Sequence, residues 1–152
     1  VNARPEDRIW IELNLGRAKH CQGLLAEAKQ HCDQAYRLMK QNGLPRVHDS
    51  VVLLIYMGLI LQNEGKFHEA LKNFQEALAI SQQHPLKNQI DIQRSLIAVG
   101  SCLNQLGQYH QSLSSYQQAL AMETTDRPTA TPERAVCLNN IGNVQVHLGR
   151  FQ

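Results

Sequence analysis

Polar and apolar positions along this chain form two kinds of segment. In FHEALKNFQEALAI (67–80), Phe67, Ala70, Phe74 and Ala77 are spaced by three and four, the step that puts residues on one face of a helix. In SVVLLIYMGLILQNEG (50–65) no such alternation is visible, and the eleven residues from Val51 to Leu61 carry neither charge nor amide. Such a run fits a membrane span, a buried strand, a helix buried all round, or a helix with a second apolar face left for a partner. A span needs ~20 apolar residues. His48, Asp49 and Ser50 close the run on one side and Gln62, Asn63 and Glu64 on the other, so it is too short to cross a bilayer. Taken together, the patterns predict helices over about 5–22, 25–41, 46–63, 67–83, 87–105, 109–123 and 132–148. Asn42-Gly43 and TTDRPTAT (124–131) read as loops. Thr131-Pro132-Glu133 reads as a helix start, with Thr as the cap and Pro in the first turn.

The glycines repeat. Gly16, Gly58, Gly100 and Gly142 lie 42 residues apart, and so do Gly23, Gly65, Gly107 and Gly149. Each first glycine follows an apolar residue: Leu15, Met57, Val99 or Ile141. Two residues after each second glycine stands Leu25, Phe67, Tyr109 or Phe151; further on come Ala28, Ala70 and Ser112, then Cys32, Phe74 and Tyr116, then Ala35, Ala77 and Ala119. A helix, a tight turn and a second, antiparallel helix account for this pattern. The second glycine ends the first helix, where a positive φ costs it nothing. The first sits mid-helix, where Gly costs ~1 kcal/mol against Ala, so its recurrence points to close helix approach with large residues filling the gaps. In this register Leu54, Met57, Gly58 and Leu61 belong to the repeat core. Glu12 and Lys19 stand where later repeats have Leu. They make the first helix irregular, with that face expected to meet solvent or an upstream segment.

In phase with these glycines, YMGLILQNEGKFHEALKNFQEALAI and LIAVGSCLNQLGQYHQSLSSYQQALAM resemble the tetratricopeptide repeat family. WIELNLGRAKHCQGLLAEAKQHCDQAY is a weaker match, and CLNNIGNVQVHLGRF is half a repeat. The family's usual period is 34. The eight further residues here add about two helical turns, or ~12 Å, per repeat. The proline that usually closes the second helix is replaced by Lys40, Gln82 and Thr124, with Pro45, Pro85 and Pro128 following later. Repeats of this length resemble those of kinesin light chains, spindle-orientation adaptors, and bacterial sensor and regulator proteins. The expected fold is all-α: an α-solenoid, or tetratricopeptide superhelix, of about seven antiparallel helices in one array. Its repeats run over about 5–44, 45–86 and 87–128, with a half repeat over 129–152. Beginning at Val1 and stopping after a repeat's first helix, the chain is expected to be part of a longer array, or to dimerise through that end.

Composition narrows the function. Fifteen Lys and Arg stand against thirteen Asp and Glu, with no basic cluster, so neither charge nor the few aromatics signal nucleic-acid binding. No signal-peptide pattern precedes the first helix. Cys21, Cys32, Cys102 and Cys137 show no Cys-x-x-Cys spacing and read as small buried hydrophobes of a reducing, cytoplasmic compartment. His20-Cys21 and His31-Cys32 are chain neighbours, which point about 100° apart on a helix and chelate one ion poorly. No metal or other cofactor is expected. The chain also lacks a P-loop, a dinucleotide fingerprint, a nucleophile elbow and a His-Glu-x-x-His motif. His68 and His110, at equivalent positions, read as solvated helix starts, and the chain is expected to be no enzyme.

The resemblance implies a binding module whose first helices line a concave groove. Lining positions lie six and three residues before the first glycine and one and four after it, which share a helix face. Carried onto this chain they are Trp10, Leu13, Arg17 and His20; Val52, Ile55, Leu59 and Gln62; Arg94, Ile97, Ser101 and Asn104; and Val136, Asn139, Asn143 and Val146. One half is apolar (Trp10, Leu13, Val52, Ile55, Leu59) and the other polar (Arg94, Ser101, Asn104, Asn139, Asn143). Asn both donates and accepts, so an Asn row suits a peptide main chain. Arg17 and Arg94 are too sparse for the family's clamp on a terminal carboxylate. The expected partner is a protein or peptide, an amphipathic helix or an extended segment, with no role for nucleic acid or membrane. Two settings are open: the sensory or scaffolding part of a larger bacterial signalling protein, which the glutamine-rich, low-lysine composition favours, and a eukaryotic adaptor or cargo scaffold.

Overall fold

Three turns of one kind set the direction of the chain. At Gly23, Gly65 and Gly107, φ is 76°, 77° and 74°, a conformation that residues with a Cβ rarely adopt. The N–H of the next residue (Leu24, Lys66, Gln108) donates to the carbonyl of Lys19, Leu61 or Leu103 at 2.9 Å, closing the preceding helix. A computed structural model describes residues 3–43, 46–83, 88–122 and 131–150. Phe151 and the predicted loop 124–131, apart from Thr131, lie outside the described residues. The described residues form α1 (Pro5–Cys21), α2 (Leu25–Gln41), α3 (Val47–Asn63), α4 (Phe67–Gln82), α5 (Gln89–Gln105), α6 (Tyr109–Ala121) and α7 (Pro132–Arg150), and no strand. Every helix end lies within two residues of its predicted position. Thr131 caps α7 as its sequence suggests: its Oγ1 accepts from the Arg134 N–H at 3.2 Å.

Each turn folds a second helix back on a first, giving the pairs α1–α2, α3–α4 and α5–α6. Contact is closest at the mid-helix glycines. A Cβ at Gly58 would run into the Phe74 ring, and one at Gly100 would lie 3.0 Å from Tyr116 Cε1. In the first pair Cys32 replaces the aromatic, its Sγ 3.3 Å from where a Gly16 Cβ would stand. The Ser112 hydroxyl uses the same closeness to donate to the Gly100 carbonyl at 2.7 Å. Ala28, Cys32 and Ala35, their counterparts Ala70, Phe74 and Ala77, and then Ser112, Tyr116 and Ala119 are all 1% exposed or less. The spacing read from the sequence therefore places the buried face of every second helix.

Neighbouring pairs pack side by side. First helices touch one another (α1 with α3, α3 with α5, α5 with α7), whereas α2, α4 and α6 do not touch each other. An array closed on one side and open on the other curves toward the closed side, so the first helices line the inner, concave face. Leu71 and Leu78 of α4 seal the junction with the next pair: Leu71 joins Val99 and Leu103 in one apolar cluster, and Leu78 joins Leu96 in another.

The first pair departs from expectation. At the positions of Leu71 and Leu78, α2 carries Lys29 and Tyr36. Leu54, Met57 and Leu61, expected in the core, are accordingly only half-buried, while their counterparts Leu96, Val99 and Leu103 are 5–6% exposed. Glu12 and Lys19 are only partly exposed. They turn onto α2, where Glu12 meets His31 Nδ1 at 2.8 Å and Lys19 pairs with Glu27 at 2.7 Å.

The glycines provide a paired test. Gly58→Ala should cost ~1–3 kcal/mol, because the Phe74 ring must move to admit one methyl group. Gly142 has nothing within 4 Å of its would-be Cβ, so Gly142→Ala should stabilise α7 by ~0.5–1 kcal/mol through helix propensity alone. Urea denaturation of both variants checks the opposite signs.

Candidate functional site

One α-helix lays its residues at steps of three and four along a single face, and four first helices side by side turn those faces into a surface. The predicted lining residues divide on it by exposure. Trp10, Arg17, Arg94, Asn139 and Asn143 are exposed, Trp10 by 58%. Val52, Ile55, Leu59, Ser101 and Asn104 are half-buried. Leu13 is a correction: at 3% exposure it lies in the α1–α2 core with Ile9 and Cys32 and is not open to a ligand. Val52 also packs against that core, and Ile55 and Leu59 pack toward α5, so the apolar half is used largely in joining the first helices to one another. What remains exposed of it is mainly Trp10.

The polar centre is tighter than its sequence spacing implies. Tyr56 is half-buried on α3, and burial pushes its phenol above the ordinary value. The charges of Arg17 and Arg94 lie near enough to act on it, and both oppose the burial effect. Arg94 also reaches Glu133 Oε1 at 3.4 Å, a long contact that leaves the guanidinium half exposed. Two cations from helices on either side of α3 thus act on one phenol. Gln62 Nε2 donates to Ser101 Oγ at 3.3 Å and Asn63 Nδ2 to His20 Nε2 at 2.8 Å, tying adjacent repeats together. Asn104 keeps a buried Oδ1 with no hydrogen-bond partner among the described residues.

Sequence reasoning missed Tyr56, and it missed an acidic series at the start of each first helix. Asp7, Asp49, Asp91 and Glu133 are spaced by 42, the interval already seen in the glycines. Arg4 pairs with Asp7 at 3.0 Å, Arg46 with Asp49 at 2.8 Å and His48 with Asp91 at 2.9 Å, while Arg94 takes Glu133. Acids at helix N-termini oppose the positive end of the helix dipole. Asp49, 2% exposed, uses the charged Arg46 as well, and the bond from His48 on α3 to Asp91 on α5, 5% exposed, joins two repeats. These groups fix one edge of the array and leave the groove to Trp10, Arg17, Tyr56, Arg94 and the two asparagines.

No group of three or more His, Cys, Asp or Glu among the described residues is placed to hold a metal ion. Three cysteines are buried as expected, but Cys21 is exposed. No helix among the described residues is long and apolar enough to cross a membrane.

Paired helices stacked into a curved array, with an open inner face, define an α-solenoid of the repeat-protein class. A family model described as tetratricopeptide repeat matches residues 7–83 and also residues 49–125. The chain belongs to the tetratricopeptide repeat family, whose repeats generally mediate protein–protein interaction and whose members are typically not catalysts. No curated protein matches the chain.

The thiols give a direct check on this packing. Burial pushes Cys32 up to about 11 and raises Cys102 as well, so neither forms a thiolate near neutral pH. Titration of the native protein with a chromogenic disulfide should show one fast thiol, Cys21, and lose it in Cys21→Ser. All four should react in denaturant.

Proposed function

We propose that the chain is a non-catalytic docking module that binds an extended segment of a partner protein along its concave face. The observation that carries this reading is a Trp10 that is 58% exposed on the face that also leaves Arg17 and Arg94 exposed. An aromatic left in water and two exposed guanidinium groups on the same face suit a ligand with an apolar side chain near α1 and an acidic side chain at the centre. Asn139 and Asn143 on α7 are free to pair with its main chain. Val52, Ile55 and Leu59 contribute the exposed part of their surfaces as the floor.

The setting we favour is the sensory or scaffolding part of a larger bacterial signalling protein acting in the cytoplasm, supported by the glutamine-rich, low-lysine composition. An adaptor or cargo scaffold is the other setting, and the domains encoded beside this one decide between them. A second copy docking on α7 is supported by Leu138, which is 48% exposed where Leu96 is 5% exposed.

Trp10, the sole tryptophan, reports on its own site. Peptides selected from a displayed library should be enriched in acidic residues, and binding should shift Trp10 emission to the blue. Arg94→Glu should weaken those peptides by about tenfold or more. Trp10→Ala should weaken them too, without changing the melting temperature. Selection without acidic enrichment, or an unmoved Trp10 spectrum on binding, refutes the reading.

A further inference from the structure

The run from Val51 to Leu61 has a face that the repeat core covers only in part and the concave groove does not use. Leu54, Met57 and Leu61 follow one another at steps of three and four, on the side of α3 roughly opposite Val52, Ile55 and Leu59. They form the floor of a cleft between α2 and α4 that opens on the outer side of the array. Two adjoining hollows of about 460 and 660 Å³, sharing Asp33 and Met57, make it up. Its cause lies in the sequence. The same face of α5 is covered by Leu71 and Leu78 of the preceding second helix, whereas at this junction those positions are Lys29 and Tyr36. Two leucines seven residues apart are therefore missing over three half-buried apolar side chains.

We infer that this outer cleft is a second docking site, and that its occupant is an amphipathic helix of a partner protein. The helix carries leucines seven residues apart, with acidic side chains on one flank and basic ones on the other. The leucine spacing is that of Leu71 and Leu78, the residues that cover the matching face of α5. The length follows from the walls: Lys29 to Lys40 along α2 is about 16 Å, or three turns of helix. The flanks follow from the rims. On α2 these are Lys29, Asp33 and Lys40, with Arg37 beside them in an adjoining hollow, three cations and one anion; on α4 they are Glu69, Lys72 and Glu76, while Glu64 at the end of α3 is paired with Lys66 at 2.8 Å. One rim is net basic and the other net acidic, so a helix charged with one sign throughout is repelled by one of them. A helix with opposite flanks satisfies both in one chain direction, because reversing it exchanges the flanks. The site faces away from Arg17, Tyr56 and Arg94, so it stands independently of the concave reading.

The test uses three synthetic helical peptides of about fourteen residues. They share one leucine stripe, and their flanks are all Glu, all Lys, or Glu on one side and Lys on the other. Fluorescence anisotropy with the intact chain should rank the mixed peptide first by about tenfold. Glu69→Lys with Glu76→Lys changes two exposed side chains, so the fold is kept, and it makes both rims basic. The all-Glu peptide should then bind best. Arg94→Glu, on the concave face, should leave the ranking unchanged, and Met57→Glu should abolish binding of all three. The inference is overturned if no peptide binds, if the ranking ignores the Glu69→Lys, Glu76→Lys exchange, or if Arg94→Glu removes binding. Sedimentation adds one further outcome: if the chain self-associates and the rim exchange breaks that association, the occupant is a second copy and the partner-helix assignment fails.

Discussion

The structure depends on how near two helices can come at a residue without a side chain. Gly58 lets the Phe74 ring lie directly on the α3 backbone, and Gly100 does the same for Tyr116. Each contact locks the rotation of a first helix against a second, because turning either by one residue would replace a glycine with a bulky neighbour. Once that angle is set, the remaining faces of the first helix are assigned. One meets the preceding pair, one looks inward, and one looks outward between successive second helices. Burial of Phe74 and Tyr116 adds the apolar stabilisation expected of large side chains, roughly 1.5–3 kcal/mol each. Burial also pushes the Tyr116 phenol up to about 12, which keeps it neutral inside the repeat.

Much of this was legible in the sequence because it is local. Turn glycines, helix spans and the buried stripe of each second helix follow from periods of three and four repeated at a fixed interval. What failed depended on neighbours across the fold. Leu13 sits at a lining position by spacing, yet it lies in the core with Ile9 and Cys32. Leu54, Met57 and Leu61 share the register of Leu96, Val99 and Leu103, and whether they are buried is decided by Lys29 and Tyr36, about twenty-five residues earlier in the chain. Glu12 and Lys19 look like misfits only until His31 and Glu27 are seen opposite them.

The candidate groove was legible in part. Its helices and exposed members, Trp10, Arg17, Arg94, Asn139 and Asn143, follow from helical spacing. The influence of two arginines on Tyr56 does not, because it rests on how α1, α3 and α5 are spaced side by side. The acidic series beginning at Asp7 was within reach: its interval equals that of the glycines, and only the emphasis on apolar periodicity hid it. Polar groups recurring at the repeat interval thus carry information of the same grade as apolar ones.

The junction between the first pair and the second also bears on cooperativity. A linear array holds together through nearest-neighbour coupling, and it opens where that coupling is weakest. Leucine contacts bind α4 to α5, whereas α2 meets α3 over a smaller area, and polar side chains line the space between α2 and α4. The first pair is therefore joined to the second mainly through α3, whose Leu53 and Ile60 enter the same buried cluster as Ile9, Leu13 and Leu38.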